Sequence, residues 1–318
     1  MDAPPVSSIG SVYVTADYLA RFEYRTRHLS LRPRQPHSSV LSGRNASRVR
    51  GRGLDFAELR NYLPGDDIRA LDWKATLRSG RPLVRTYNEE HDRPMLFVVD
   101  QRMAMFFGSK RALKSVVAAE VCALGAWTAF NGGDRVGAVL FNDKESHALR
   151  PLRSRAQLQR LFENLAEMNN ALRAESPARA NYAQLNRALE GALNLAGHDH
   201  LVCVISDFVG ADNDTLRLLR ELRAHNDVLG ALIFDPLGYN LPPEGRVVAS
   251  EGELQIELDF GRSRVRDPLA RLFEQHLRDA ATLLRRSGAP LLMLDTSQDT
   301  LTQLRHQLGA PPRAGGGR

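Results

Sequence analysis

From residue 94 onward the chain alternates short, continuously apolar runs with longer stretches of helical period, and no other feature of the sequence restricts its fold as much. The runs at 95–99, 136–141, 201–205 and 228–234 carry no charged residue, as a parallel strand covered by helices on both faces requires. Between them, residues 110–130 place Leu113, Val116, Val117, Val121 and Leu124 near a 3.6-residue period. Further helices are expected at 155–168, 182–195, 214–225, 267–286 and 300–308, and a last inner strand at 290–294. Residues 147–152 follow the strand at 136–141 after a short link, which predicts an antiparallel neighbour. A Gly/Pro-rich loop at 235–245 leads to a small hairpin, 246–250 with 254–258. Alternation of this kind specifies an α/β fold, a doubly wound, mostly parallel open sheet. Its functional edge lies at the carboxyl ends of the strands.

The first third of the chain reads differently. Residues 1–10 are expected to be a flexible tail, 11–93 a small N-terminal subdomain, 94–308 the sheet domain and 309–318 a disordered tail. Thr15 is placed to cap a short helix carrying Tyr18, Leu19 and Phe22. Residues 32–53, rich in Arg, Ser, Gly and Pro, predict irregular chain. Pro64-Gly65 suits the centre of a type II turn, and Asp66 or Asp67 can cap a helix over 68–77, with a strand at 83–88.

Composition removes several classes of function. No run approaches 18 apolar residues, so no membrane span is expected. The first ten residues lack the charged and apolar regions of a signal peptide. Cys122 and Cys203 lie far apart in apolar stretches, the usage of a reduced, cytoplasmic protein. The net charge of +6 is almost wholly arginine, since only Lys74, Lys110, Lys114 and Lys144 among the 43 basic residues are lysines. Nine arginines and one acid, Glu23, fall between Arg21 and Arg52. That stretch supports an alternative reading as a nucleic-acid or acidic-surface binder, although it matches no nucleic-acid module. Gly-x-Ser-x-Gly, a phosphate-binding Walker loop, His-Glu-x-x-His and paired-cysteine metal motifs are all missing, so no enzyme is expected.

Chemistry is expected where two inner strands end. Asp100 follows Val99, and Ser206-Asp207 follows Ile205, so two carboxylates converge at one edge of the sheet. The stretch Tyr62-Leu63-Pro64-Gly65-Asp66-Asp67-Ile68-Arg69-Ala70-Leu71-Asp72-Trp73-Lys74 is long and specific, as are Gly51 to Phe56, Gly133 to Gly137 and Leu294-Asp295-Thr296. On these residues the chain resembles the domain of unknown function 58 family over 46–308, and 94–207 resemble a von Willebrand factor A-type fold.

That resemblance implies a metal-ion-dependent adhesion site, built from an Asp-x-Ser-x-Ser loop, a Thr and a second Asp around Mg²⁺. Here Asp100 and Asp207 are kept. Arg102 and Ala104 stand where the serines belong, and the Thr position falls at Ala183. The site is therefore degenerate: no metal or other cofactor is expected, and Arg102 is expected to pair with Asp100 or Asp207. The motif residues Tyr62, Pro64, Gly65, Asp66, Asp67, Arg69, Asp72 and Trp73 have two readings. In one, Trp73 anchors a capped helix on the sheet domain, while Arg60, Arg69 and Asp72 form a buried network. In the other they form a docking surface. The family resemblance further implies a partner, a MoxR-type AAA+ ATPase. The chain would then be its non-enzymatic adaptor or co-chaperone, contacting it through Met103, Met105, Phe106 and Phe208 beside the two carboxylates.

Overall fold

The computed structural model describes residues 6–26, 29, 54–63, 66, 68–89, 93–173, 180–238, 246–251, 254–259 and 263–308. The expected tail at 309–318, the irregular stretch 32–53, most of the basic stretch 21–52, and Pro64, Gly65 and Asp67 lie outside them. Two compact units form: Met1–Arg34 with Arg93–Arg318, and Gln35–Asp92.

In the small unit, strand β1 (Leu54–Asn61) pairs antiparallel with β2 (Leu83–Glu89), with a register shift between Phe56 and Glu58. The strand at β1 was not anticipated. Nor does one helix run over 68–77. Ile68–Ala70 form a single 3-10 turn, Leu71 bridges to Val84, and the helix at Trp73–Ser79 starts afresh. The reason is Asp72, whose extended backbone (φ −84°, ψ 92°) ends the first turn and whose side chain accepts Ala75 N–H at 3.1 Å. Gly80, at φ +69°, closes the helix with a left-handed residue that donates to Thr76 O. Asp66 does not cap a helix. It accepts Leu63 N–H at 2.8 Å and both terminal nitrogens of Arg60 at 2.8 and 2.7 Å.

The large unit carries the predicted alternation. Its strands are β3 (Met95–Asp100), β4 (Val136–Phe141), β5 (Ser146–Leu152), β6 (Leu201–Ser206), β7 (Asp227–Phe234) and, after a hairpin β8 (Arg246–Glu251) and β9 (Leu254–Asp259), β10 (Leu291–Asp295). Six of them form one sheet in the order β10-β7-β6-β3-β4-β5, parallel except for β5. Numbering helices along the whole chain, α1 is Ala16–Ala20 and α2 the small unit's Trp73–Ser79. The rest are α3 (Lys114–Asn131), α4 (Arg155–Asn170), α5 (Ala183–Leu195), α6 (Asn213–His225), α7 (Ser263–Ser287) and α8 (Thr300–Leu308). Side chains of β3 alternate between two cores. Met95, Phe97 and Val99 meet α3, α4 and α8, whereas Leu96 and Val98 meet α5, α6 and α7. The sheet is thus covered on both faces, which is why its inner strands are apolar almost throughout, whereas the edge strand β5 alternates. Among the described residues no helix is long and apolar enough to cross a membrane.

Residues 11–26, expected in the small N-terminal part, pack on the sheet unit instead. Val14 N–H donates to Asn169 Oδ1 at 2.9 Å, Asn170 donates to Val14 O, and Trp127 Nε1 donates to Leu19 O at 3.2 Å. Tyr18 donates to Glu120, a buried carboxylate that Arg111 and Thr300 also engage. Burial, then the charge of Glu120, push the Tyr18 hydroxyl well above its ordinary pKa. Leu19 and Phe22 thereby seal α3, a helix buried on every side.

Candidate binding edge

The strand order reverses at β3: the chain leaves it toward β4 on one side and later returns to β6 on the other. Such a switch point opens a crevice at the carboxyl ends of the two strands. Val99 and Ile205 are register partners, so Asp100 and Ser206 finish their strands side by side. Both are fully buried, as are Arg102 and Asp207.

These four residues form a bonded array. Arg102 turns back on Asp100, donating its backbone N–H to Oδ1 at 2.9 Å and its Nε to both oxygens at 3.0 and 3.1 Å. A terminal nitrogen reaches Oδ2 at 2.7 Å. Ser206 donates to Asp100 Oδ2 at 2.6 Å and accepts Phe208 N–H at 2.8 Å. The same Arg102 nitrogen lies 3.9 Å from Asp207 Oδ1. Lys114, the first residue of α3, donates to Asp207 Oδ2 at 2.5 Å, and Val209 N–H donates to Oδ1. Charges therefore alternate through the array, carboxylate, guanidinium, carboxylate, ammonium. Burial alone would raise the Asp207 carboxyl, but Lys114 and then Arg102 outweigh it and hold the group below the ordinary carboxylate range. Burial likewise opposes the charge on Arg102, and Asp100 more than offsets it, so the guanidinium stays protonated. Its other terminal nitrogen has no hydrogen-bond partner, and the group lies over the Phe141 ring, 5.6 Å from the centroid.

The two carboxylates and Arg102 are brought together as the sequence suggested. Ala104 sits half-buried in the 3-10 turn Met103–Met105, and Ala183 is exposed at the start of α5; neither has a side-chain oxygen to offer a metal. The Mg²⁺ that the resemblance implies does not fit these residues. Both Asp100 oxygens are taken by Arg102 and Ser206, both Asp207 oxygens by Lys114 and Val209, and two fixed cations occupy the space between. Lys114 was not anticipated. Its signal was its position, since the helix that follows a switch-point strand begins at the same edge as that strand ends. Asp143 was also missed. It accepts Met103 N–H at 2.6 Å and Asn181 N–H at 2.8 Å, holding the loop after β3 against the approach to α5.

Next to Asp207 is a cavity of about 410 Å³, lined by Phe107, Val209, Ile233, Leu272, Phe273 and Leu277. Lys114, Asp207, Asp235, Gln275, His276 and Asp279 supply its polar side, the His276 ring lying 2.8 Å from Asp207 O. Of the four residues proposed as a rim, Met105 and Phe208 are core and Met103 and Phe106 are half-buried.

The remaining motif residues belong to the small unit. Tyr62 pairs its N–H with Pro82 O, Asp72 caps α2, and Arg69 is exposed. Trp73 is 62% exposed and is no buried anchor. Arg60 and Asp72 are half-buried; Arg60 donates to Asp66 and Asp72 accepts Ala75 N–H.

A family model described as protein of unknown function DUF58 matches residues 58–279, which include most of the motif, both carboxylates and the cavity wall. The chain belongs to the DUF58 family. Among similar proteins, an uncharacterised protein of Mycobacterium tuberculosis is 30% identical over 279 residues, covering 87% of this chain and 86% of the relative. One from Mycobacterium avium is 32% identical over 105 residues, 33% of this chain and 62% of the relative. The crystal structure of a conserved hypothetical protein, BatB from Bacteroides thetaiotaomicron, aligns at 7% identity with a TM-score of 0.39, over 68% of this chain and 98% of that one.

Proposed function

We propose that this DUF58 chain is a protein-interaction module of von Willebrand factor A type without catalytic activity, which binds through the carboxyl edge of its sheet. We further propose that it works in the cytoplasm as adaptor or co-chaperone of a MoxR-type AAA+ ATPase. The observation that carries the reading is the closed array of Asp100, Arg102, Asp207 and Lys114 at the switch point. Each charge there is spent on a neighbour, and the Ser206 hydroxyl donates to Asp100 instead of facing a base. What such an edge offers a partner is shape: a rigid rim and, beside it, an apolar cavity. The order of the six strands, with its single antiparallel edge, supports the A-type assignment.

The test is binding of the full chain to a MoxR-type ATPase from the same source, with and without ATP, together with ATP turnover. Wild type is expected to co-elute and to change turnover. Leu272→Glu, a change at an exposed position of the cavity wall, is expected to weaken binding by about ten-fold or more at unchanged melting temperature. Absence of binding in every nucleotide state, or equal binding by the variant, defeats the proposal.

A further inference from the structure

Helix α2 is inside out. Its exposed positions include Trp73, Lys74, Leu77 and Arg78, whereas the half-buried ones are the small residues Ala75 and Thr76. Thr76 faces the strand, its hydroxyl accepting Leu83 N–H at 3.0 Å. Trp73 and Leu77 are four residues apart and share one line on the helix surface; Lys74 and Arg78 form the next line. Leu77 is 84% exposed, the most exposed of the large apolar residues described. Leu63 and Ile68, in the loop leading to the helix, are exposed as well, and Arg81 is exposed just beyond its end. Within these 19 residues of chain, 63–81, a tryptophan and three aliphatic side chains face water beside four exposed cations, Arg69, Lys74, Arg78 and Arg81. Solvated apolar residues are ordinary singly; a cluster on one small unit is not. Trp and Arg are also the residues that dominate binding energy in protein interfaces.

The charges decide what covers this face. Among the described residues of the segment, the Asp66 carboxylate is engaged by Arg60 and that of Asp72 by the helix end it caps. Lys74, Arg78 and Arg81 stand exposed around the apolar stripe. We propose that Trp73, Leu77, Lys74 and Arg78 form a docking face for an acidic amphipathic protein segment, whose apolar side covers the Trp73–Leu77 stripe and whose carboxylates meet the flanking cations. This extends the reading of the chain as an interaction module, but it uses the small unit and not the sheet edge.

Tryptophan supplies the readout. The chain has two, and Trp127 is buried against Phe130 and Phe162, so acrylamide quenching of the full chain reports chiefly on Trp73. The probe is a labelled peptide of leucine and glutamate at helical spacing, about five turns long. It is compared with its leucine–lysine counterpart, with phosphatidylglycerol–phosphatidylcholine vesicles and with oligothymidine. The acidic peptide is expected to bind, to shift Trp73 emission to the blue and to shield it from acrylamide, more weakly as salt rises. Lys74→Glu/Arg78→Glu is expected to reduce that affinity at least about ten-fold with an unchanged melting curve. Trp73→Phe should remove the quenchable component. Four results overturn the proposal: no peptide binding, equal binding of the lysine peptide, shielding by vesicles or DNA in place of the peptide, or a Trp73 already shielded in the unliganded chain. The sheet-edge reading has its own readout in Leu272→Glu, so either can fail alone.

Discussion

At the scale of single residues, the array at the switch point is held by opposite charges that each need the other. Arg102 is 1% exposed and its fork is closed on Asp100. Removing one partner of a buried pair strands the other charge, at a cost of about 3–5 kcal/mol. Arg102→Met is therefore expected to lower unfolding free energy by that order in urea titrations. Arg102→Lys should recover only part, because an ammonium cannot reproduce the fork. Restoring neutrality with Asp100→Asn in the Arg102→Met chain should regain more than Lys does; no recovery would sink the stranded-charge account. Asp207 adds a pH dependence. Its carboxyl is depressed in the folded chain, so it contributes stability above the unfolded value of about 3.9 and loses it as pH falls through the folded value. Lys114→Met, by removing the first of its two stabilising cations, should narrow the difference in stability between about pH 6 and pH 3. Both carboxylates were legible from strand ends in the sequence, and Arg102 from the resemblance, where it stands in place of a serine. Lys114 was not, because its partner lies 93 residues away and only the crossover brings it back.

At the scale of elements, local pattern and long-range packing divide the outcome. The inner strands were legible because burial on both faces leaves an unbroken apolar run, and α4, α5 and α6 because each has a strong apolar side. The small unit was harder. Strand β1 reads Leu-Asp-Phe-Ala-Glu-Leu-Arg-Asn, with too little β-branched character to announce itself, and it is fixed by pairing with β2. No single helix spans 68–77 because Asp72, placed just before Trp73-Lys74-Ala75, is an N-cap that starts a new helix. In the sheet, Gly137 has an element-level role. It lies where the β4–β5 register shifts, and a Cβ there would meet Leu149 O at 2.7 Å, Pro151 N at 2.7 Å and Pro151 Cδ at 2.8 Å. Backbone atoms cannot step aside singly, so Gly137→Ala must push the edge strand away. A loss of about 1–3 kcal/mol is expected, with hydrogen exchange accelerated in β5 before β3. Uniform loss of protection across the sheet would place the strain elsewhere.

At the scale of the molecule, the chain's order in sequence and in space disagree, and that is why the expected boundary within 11–93 could not be read locally. Val14 is tied to Asn169, 155 residues on, and Arg25 to Asp299, 274 residues on. The small unit is thus an insertion into the large one. Within the large unit, the last described residue before the insertion, Leu29, shares a cavity wall with Asn131 and Gly132 at the end of α3, and the first after it, Arg93, donates its N–H to Asp134 just beyond. A gap of that kind can be closed by a short Gly/Ser linker, since about eight such residues have a mean span near 15 Å. Replacing residues 35–92 by that linker is expected to leave a cooperative melting transition, a shielded Trp127 and the strand protection of the large unit. Removing residues 1–26 from the natural chain should do the opposite. It uncovers the α3 surface that Val14, Leu19 and Phe22 seal, each worth about 1.5–3 kcal/mol of burial. The two deletions therefore separate topology from sequence position. If the small unit were needed to build the sheet, the linker chain would melt without cooperativity and bind apolar dye. If it is an insertion, only the shorter deletion, of the N-terminal strap, has that effect.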